Sequence, residues 1–582
     1  MRSASLALLM GTLLLSSAAN AQCQLTKYLD LPVTMRGARP IVSAQIDGKD
    51  AQFILDSGAF FSTLSQASAQ TYGLRLTPLS PEFRLRGVNG ATSASVATVR
   101  SFGLGPVTVP NIEFVVGGTD IGQVGLLGQN VLGIGDVEYD LRHGVVRLLR
   151  AKGCKVDELA YWASDYPITI IPLEQRSPSQ RHTIGTVTLN GVRLRALFDT
   201  GAPSSVLTLS AAKKAGITPN SPGVVQGGTT IGLGTRALRT WTASFTRLEI
   251  GGEIIPNPKI RFSEAQLNDA DMLIGADFFL THHIYVANDA AKMLITYEGG
   301  AVFGIAPSGA VDGQGKPLDL TDRSAEPTDA EGFSRRGAAF ASSGNLEAAI
   351  GDFDRAIAIA PNQARYFHER AAARMANHQP LLAAGDLDKA LAADPADVDS
   401  RVMRTTMRLA AHDPAGAAED IRVLDRELPP SAGERLQLAS MADGAGLLEL
   451  SLASNDAWLK AHPEDARRPT ALNQRCWVLA QLGRDLKKAL DDCNAALHAR
   501  PNTASFLDSR GLVRLRLGDL TGALADYNAA LSVEPRNAWT LYMRSLVRRK
   551  SGDATGADAD RSAALAIAPR IGERAAKLGL DK

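Results

Sequence analysis

A stretch of alternating apolar and small residues occurs twice in the first half of this chain, and a repeat of that length calls for two β lobes of one fold. Ile46-Asp47-Gly48 is followed, eight residues after its Gly, by Asp56; Leu189-Asn190-Gly191 is followed at the same distance by Asp199. Asp-Gly and Asn-Gly suit two-residue hairpin turns, whose backbone needs positive φ. The copies stay in step downstream. FILDSGAFFSTLS matches ALFDTGAPSSVLT, LGPVTVPNIEFVV matches IGGEIIPNPKIRF, LLGQNVLG matches LIGADFFL, and YDLRHGVVRLL matches YVANDAAKMLI. The offset is 143 at the Asp and 146 or 147 further on, which a small indel explains. Short alternating runs rich in Val, Ile, Leu, Thr and Gly mark both copies as β structure. The reading is an all-β double-lobed half, with lobes at 22–155 and 156–300.

Each repeated Asp follows an apolar strand, opens an Asp-[Ser/Thr]-Gly-Ala turn, and is followed 70 or 74 residues after its Gly by an apolar-apolar-Gly. The residues are Asp56-Ser57-Gly58-Ala59 with Leu126-Leu127-Gly128, and Asp199-Thr200-Gly201-Ala202 with Leu273-Ile274-Gly275. Over roughly residues 30–300 these motifs make the chain resemble the retropepsin and pepsin aspartic proteases. That resemblance implies two loops meeting at a pseudo-twofold axis, with Asp56 and Asp199 as the catalytic pair. Two carboxylates so close cannot both ionise cheaply, so they hold one proton between them. The ionised member then activates a water and the protonated one donates to the scissile carbonyl. Ser57 and Thr200 would fasten the loops, Gly58 and Gly201 would leave room for the carboxylates, and Leu127-Gly128 and Ile274-Gly275 would form a dry floor. Two arrangements stay open: both loops within one chain, or each loop paired with its copy in a second chain.

Flap hairpins over an extended substrate are a further implication. The glycine-rich candidates are Gly87 to Gly90 in the first lobe and Gly227-Gly228 onward in the second; ordinary mobile loops would read the same way. Phe60-Phe61 and Pro203-Ser204-Ser205 depart from the retroviral pattern, and the two phenyl rings either pack in the lobe or crowd a subsite. His282 and His283 are adjacent, so on a strand they face opposite ways and make poor metal ligands. No metal and no cofactor is expected.

Beyond residue 329 the strands give way to Ala-, Leu-, Asp- and Arg-rich sequence. Residues 301–329, rich in Gly, Pro, Asp and Ser, read as a linker. Pro361, Pro395, Pro429 and Pro463 are 34 apart, as are Pro501, Pro535 and Pro569. With Ala-rich second helices and Gly344, Gly518 and Gly552 between helices, residues 330–580 resemble tetratricopeptide (TPR) repeats. The pattern is degenerate between about 396 and 467. The resemblance implies an all-α solenoid whose groove takes a peptide or protein partner; a spacer or dimerisation module is the alternative.

Arg2, the apolar run over 6–15 and Ala19-Asn20-Ala21 predict a signal peptide over 1–21 and export, to the periplasm or beyond the cell. The four cysteines fit that compartment. Cys23 and Cys154 bracket the first lobe and could tie its ends; Cys476 and Cys493 fall on facing helices of one repeat and could do the same there. Lys+Arg number 62 against Asp+Glu 61, so no one-signed field points to nucleic acid. After signal removal no integral membrane segment remains. The expected function is aspartic endopeptidase with a recruiting helical array. The alternative is a non-catalytic peptide-binding scaffold.

Overall fold

The computed structural model describes residues 23–120, 125–163, 167–175, 182–230, 238–267, 270–299, 302–303, 326–342 and 344–580. The signal segment and most of the 301–329 linker lie outside them.

Both anticipated hairpins form. Strand Arg39–Ile46 turns through Asp47 (φ 49°) and Gly48 (φ 83°) into Lys49–Leu55. Ile184–Leu189 turns through Asn190 (φ 51°) and Gly191 (φ 81°) into Val192–Phe198. These left-handed positions suit Asp and Asn, whose short polar side chains tolerate them, and Gly, which has no Cβ. The second strand of each hairpin ends at an Asp loop. Beside it lies a short parallel strand, Gly125–Leu127 in the first lobe and Met272–Ile274 in the second.

A sheet common to both lobes joins them within one chain. Its strands run in the order Thr169–Pro172, Lys292–Tyr297, His282–Ala287, Asp136–Asp140, Val145–Lys152 and Gln24–Arg36. The lobes meet where Val137, Glu138 and Tyr139 pair with Val286, Tyr285 and Ile284. One large apolar core runs through both lobes, with Phe53, Phe198, Phe262 and Phe278 among its fully buried rings. His282 and His283 do face opposite ways. His282 Nε2 is 3.1 Å from Glu253 and His283 Nε2 is 2.8 Å from Glu138. Glu138, Asp140 and His283 come together closely, but Arg147 lies 2.5 Å from one Glu138 oxygen and Tyr161 donates to the other at 2.5 Å. That carboxylate is saturated by a cation, a ring nitrogen and a hydroxyl, so the cluster reads as a buried ion network.

Residues from Ala330 to Lys577 form seven antiparallel helix pairs and a short last helix, Ile571–Lys577. Small residues let the helices of a pair touch. A Cβ on Gly337 would lie 2.8 Å from the Phe353 ring, and one on Gly511 2.8 Å from Tyr527. The pairs continue through the degenerate stretch as Val398–Ala410 with Pro414–Glu427 and Arg435–Gly444 with Leu448–Ala461. First helices of successive pairs touch one another more than second helices do, so they line the inside of the curve. Both disulfides are present, Cys23–Cys154 and Cys476–Cys493.

The array is seated on the first lobe. The Thr119–Asp120 turn enters a notch in the array: Asp120 N–H donates to Asp465 (3.1 Å), Ala466 N–H to Thr119 Oγ1 (3.0 Å), and Arg467 to Asp120 O (2.9 Å). Among the described residues no helix is long and apolar enough to cross a membrane.

Candidate active site

The two Asp loops meet in one chain through a reciprocal clasp. Ser57 N–H donates to Thr200 Oγ1 at 3.0 Å and Thr200 N–H donates to Ser57 Oγ at 2.9 Å. Each hydroxyl passes its own proton across the axis. Thr200 donates to Leu55 O (2.7 Å) and Ser57 to Phe198 O (2.9 Å). Four charge-neutral bonds, all buried, fix the loops to each other, so no second copy is needed to bring the carboxylates together.

The glycines are placed where the opposing carboxylate sits. A Cβ on Gly58 would lie 2.3 Å from Asp199 Cγ, and one on Gly201 would lie 2.4 Å from Asp56 Cγ. Ala59 N–H donates to Asp56 (2.7 Å) and Gly201 N–H to Asp199 (2.8 Å). Burial pushes Asp56 well above the ordinary carboxylate range, and the charge and hydrogen bond of Asp199 add to it. Burial raises Asp199 as well, against the pull of Asp56 and of the N–H groups of Gly201, Gly58 and Ala202. A buried pair of this kind keeps a proton that separate carboxylates would lose.

The apolar-apolar-Gly segments lie beneath the loops. Asp56 N–H donates to Leu127 O (3.0 Å) and Asp199 N–H to Ile274 O (2.8 Å). Leu127 and Ile274 are fully buried. Gly128 and Gly275 admit the backbone of the turns at 59–61 and 202–204, each within 2.8 Å of where a Cβ would stand.

Residues that the sequence reading passed over complete the floor. Ser62 donates its N–H and hydroxyl to Asn130 Oδ1 (2.7 and 2.8 Å) and accepts from Gly128 N–H. Its counterpart Ser205 does the same with Asp277 and Gly275. Gln129 donates to Ser57 O at 2.8 Å. The signal for the serines lay in the aligned copies, where FFST and PSSV place a Ser six residues after each Asp.

Of the flap candidates, Gly87 and Gly90 belong to a hairpin, Leu85–Gly87 with Gly90–Thr92. Its tip reaches the other lobe, where Val88 O accepts from Gln266 N–H at 3.0 Å. Gly227 and Gly228 lie in strand Val225–Thr230, paired with Leu238–Ser244; residues 231–237 of that loop are outside the described set. Phe60 and Phe61 pack edge to face (4.5 Å between centroids), and Phe61 adjoins Phe83 (6.2 Å) while staying 36% exposed. They form an aromatic lip rather than core.

A β half in which two Asp-[Ser/Thr]-Gly loops clasp across an axis defines the acid-protease class. The aspartyl protease family model matches twice, over residues 42–131 and 185–278, so each lobe of the N-terminal half is an aspartyl-protease-type domain. The C-terminal half is a TPR-type array. Solved structures similar to it include the APC/C hetero-tetramer Cut9-Hcn1 (15% identity, 44% of this chain, 49% of that one, TM-score 0.33). Others are a tetratricopeptide repeat protein from Parabacteroides merdae (14%, 43% and 98%, 0.35) and YrrB, described as a TPR protein with an unusual peptide-binding site (16%, 39% and 97%, 0.21). The chain spans about half the length of the first and nearly all of the other two. No curated protein matches the chain.

Proposed function

We propose that this chain is an exported aspartic endopeptidase whose helical array binds a protein partner or substrate. The observation that carries the reading is the reciprocal clasp, which leaves Asp56 and Asp199 each against the glycine of the opposite loop. The pair shares one proton. Its ionised oxygen takes a proton from a water lying between the carboxylates, the water oxygen attacks the scissile carbonyl, and the protonated oxygen donates to the carbonyl oxygen. The resulting gem-diol collapses as the carboxyl that took the water's proton gives it to the nitrogen, the other carboxylate takes a proton from one gem-diol hydroxyl, and the C–N bond breaks. No acyl-enzyme forms. Ser57, Gly58, Thr200 and Gly201 hold the pair, Leu127, Gly128, Ile274 and Gly275 support it, and Gly87, Gly90, Gly227 and Gly228 belong to the covering hairpins. We divide the chain into a signal peptide (1–21), lobes at 22–155 and 156–300, a linker (301–329) and the array (330–580). Two disulfides favour an oxidising compartment.

The test is cleavage of a peptide library at mildly acid pH by the wild-type chain, Asp56→Asn and Asp199→Asn. Each variant should lose at least about 10²–10⁴-fold in rate, the scale of general acid–base catalysis. Undiminished cleavage by either variant removes that Asp from the mechanism. A wild-type chain that binds the library without cutting it, across a broad pH range, is a peptide-binding scaffold.

A further inference from the structure

The inner face of the last repeats carries a group of side chains that the peptidase reading does not use. Trp477, on helix Arg468–Leu482, and Trp539, on helix Ala538–Lys550, meet edge to face with centroids 5.9 Å apart. Two acidic side chains flank them. Asp508 is buried and accepts from Thr540 Oγ1 at 2.9 Å; Asp443 accepts from Gln481 at 2.6 Å. Two indole faces and two carboxyl groups make a receptacle for a cation: the rings supply their negative faces and the acids the countercharge.

One cation already sits there. Arg574 lies with Cζ 4.5 Å from the Trp539 centroid and 5.2 Å from that of Trp477. Its charge also draws down both Asp443 and Asp508, which burial otherwise raises. Arg574 comes from the seven-residue helix Ile571–Lys577, whose Ile571 packs with Leu578 against the apolar cluster of the last repeats. Ala575 and Leu580 are buried, and Arg516 donates to Leu578 O at 2.7 Å. A helix this short has no stability of its own. Its apolar residues anchor it, so the Arg574 side chain can leave the indoles without the helix leaving the face.

We propose that the Trp477–Trp539 cage is a binding site for the arginine side chain of a partner peptide, and that Arg574 is a built-in occupant which such a peptide displaces. The planar guanidinium can lie against one indole face in the corner the two rings form while reaching carboxylates at its rim, which a compact ammonium does less well. The proposal rests on the array being a binding surface; it does not depend on the lobes being catalytic.

The experiment uses the full chain carrying Asp56→Asn, so that no probe is cut. The probes are two fluorescein-labelled Gly-Ser peptides, one with a single central arginine and one with citrulline, its neutral isostere, in its place. Binding is read by anisotropy at low salt. With Arg574→Gln added, the arginine probe should bind about tenfold tighter than to the parent, while the citrulline probe should not gain. Adding Trp477→Leu should abolish the gain; that ring is half-buried, so its loss leaves the helix pair folded. Equal binding of the two probes, or no gain on removing Arg574, overturns the proposal. A gain that survives Trp477→Leu leaves the array a binding surface and overturns the cage. No binding of either probe by any variant overturns both.

Discussion

At the residue scale the two loop glycines separate geometry from chemistry. A methyl group on Gly201 would have to occupy the space of the Asp56 carboxylate, 2.4 Å from its Cγ. Gly201→Ala should therefore push the carboxylates apart while the clasp and the lobe cores persist. The expected result is cleavage down at least about 100-fold with circular dichroism unchanged. The pair also sets the pH profile. Burial raises the folded pKa values of both Asp56 and Asp199, so the shared proton is retained above the ordinary carboxylate range. Rate should fall as pH rises through that raised second ionisation, and Asp56→Asn should erase this limb. Asp508 gives an independent check on stability. Burial pushes it up to about 7 from 3.8. A raised carboxyl stabilises the fold fully below its unfolded value and loses that contribution as pH rises through the folded one. Thermal melts should thus show the wild type losing up to about 4 kcal/mol relative to Asp508→Asn between pH 4 and 7.

At the element scale, what the sequence discloses depends on whether a contact leaves a periodic or duplicated mark. The hairpins at Asp47-Gly48 and Asn190-Gly191 are legible because turn chemistry is local. The Asp loops are legible because they occur twice. The Ser62–Asn130 bond spans 68 residues with no periodicity, so it emerges only when the copies are laid side by side. The helix pairs between 396 and 467 are hard to read because the first helix of one pair is cut to ten residues, which breaks the regular spacing of the helical landmarks. They form because Ile421, Leu424, Leu438 and Met441 still share an apolar cluster. The disulfides are open in sequence, since an even cysteine count cannot distinguish a bond from two thiols. They differ in the loop they close: 131 residues for Cys23–Cys154 and 17 for Cys476–Cys493. Chain-entropy arguments give about 5 kcal/mol for the first and about 3 kcal/mol for the second. Replacing each pair by serines and measuring denaturant midpoints should show the larger loss at Cys23–Cys154. The reverse order would mean that the helical pair carries native-state contributions beyond loop closure.

At the scale of the whole molecule, the array is fastened to a turn that leads into the floor beneath the Asp loops. Thr119–Asp120 sits five residues before strand Gly125–Leu127, whose last carbonyl accepts from Asp56 N–H. Its grip on the array centres on Asp465. That carboxylate accepts from Asp120 N–H and from Arg467, and Arg467 in turn donates to Asp120 O. His462 Nε2 lies 3.3 Å from Asp120 Oδ2, and all of Thr119, Asp120, His462 and Asp465 are buried. Asp465→Ala removes the acceptor shared by the two sides and leaves Arg467 without its carboxylate. Hydrogen bonds to charged groups contribute about 1.5–3 kcal/mol each, so the loss should exceed 3 kcal/mol at this contact. Hydrogen exchange of the full chain should then rise about 100-fold or more at Thr119 and Asp120. The sheet joining Val137–Tyr139 to Ile284–Val286 should stay protected, because the Thr119–Asp120 turn is not part of its ladder. Cleavage should fall with the exchange change if the array props the floor strand, and remain at the wild-type rate if the floor stands on the lobe alone. Unchanged exchange at the turn would shift the fastening to the other seam, where Ala338 enters the lobe core and Arg335 donates to Arg142 O.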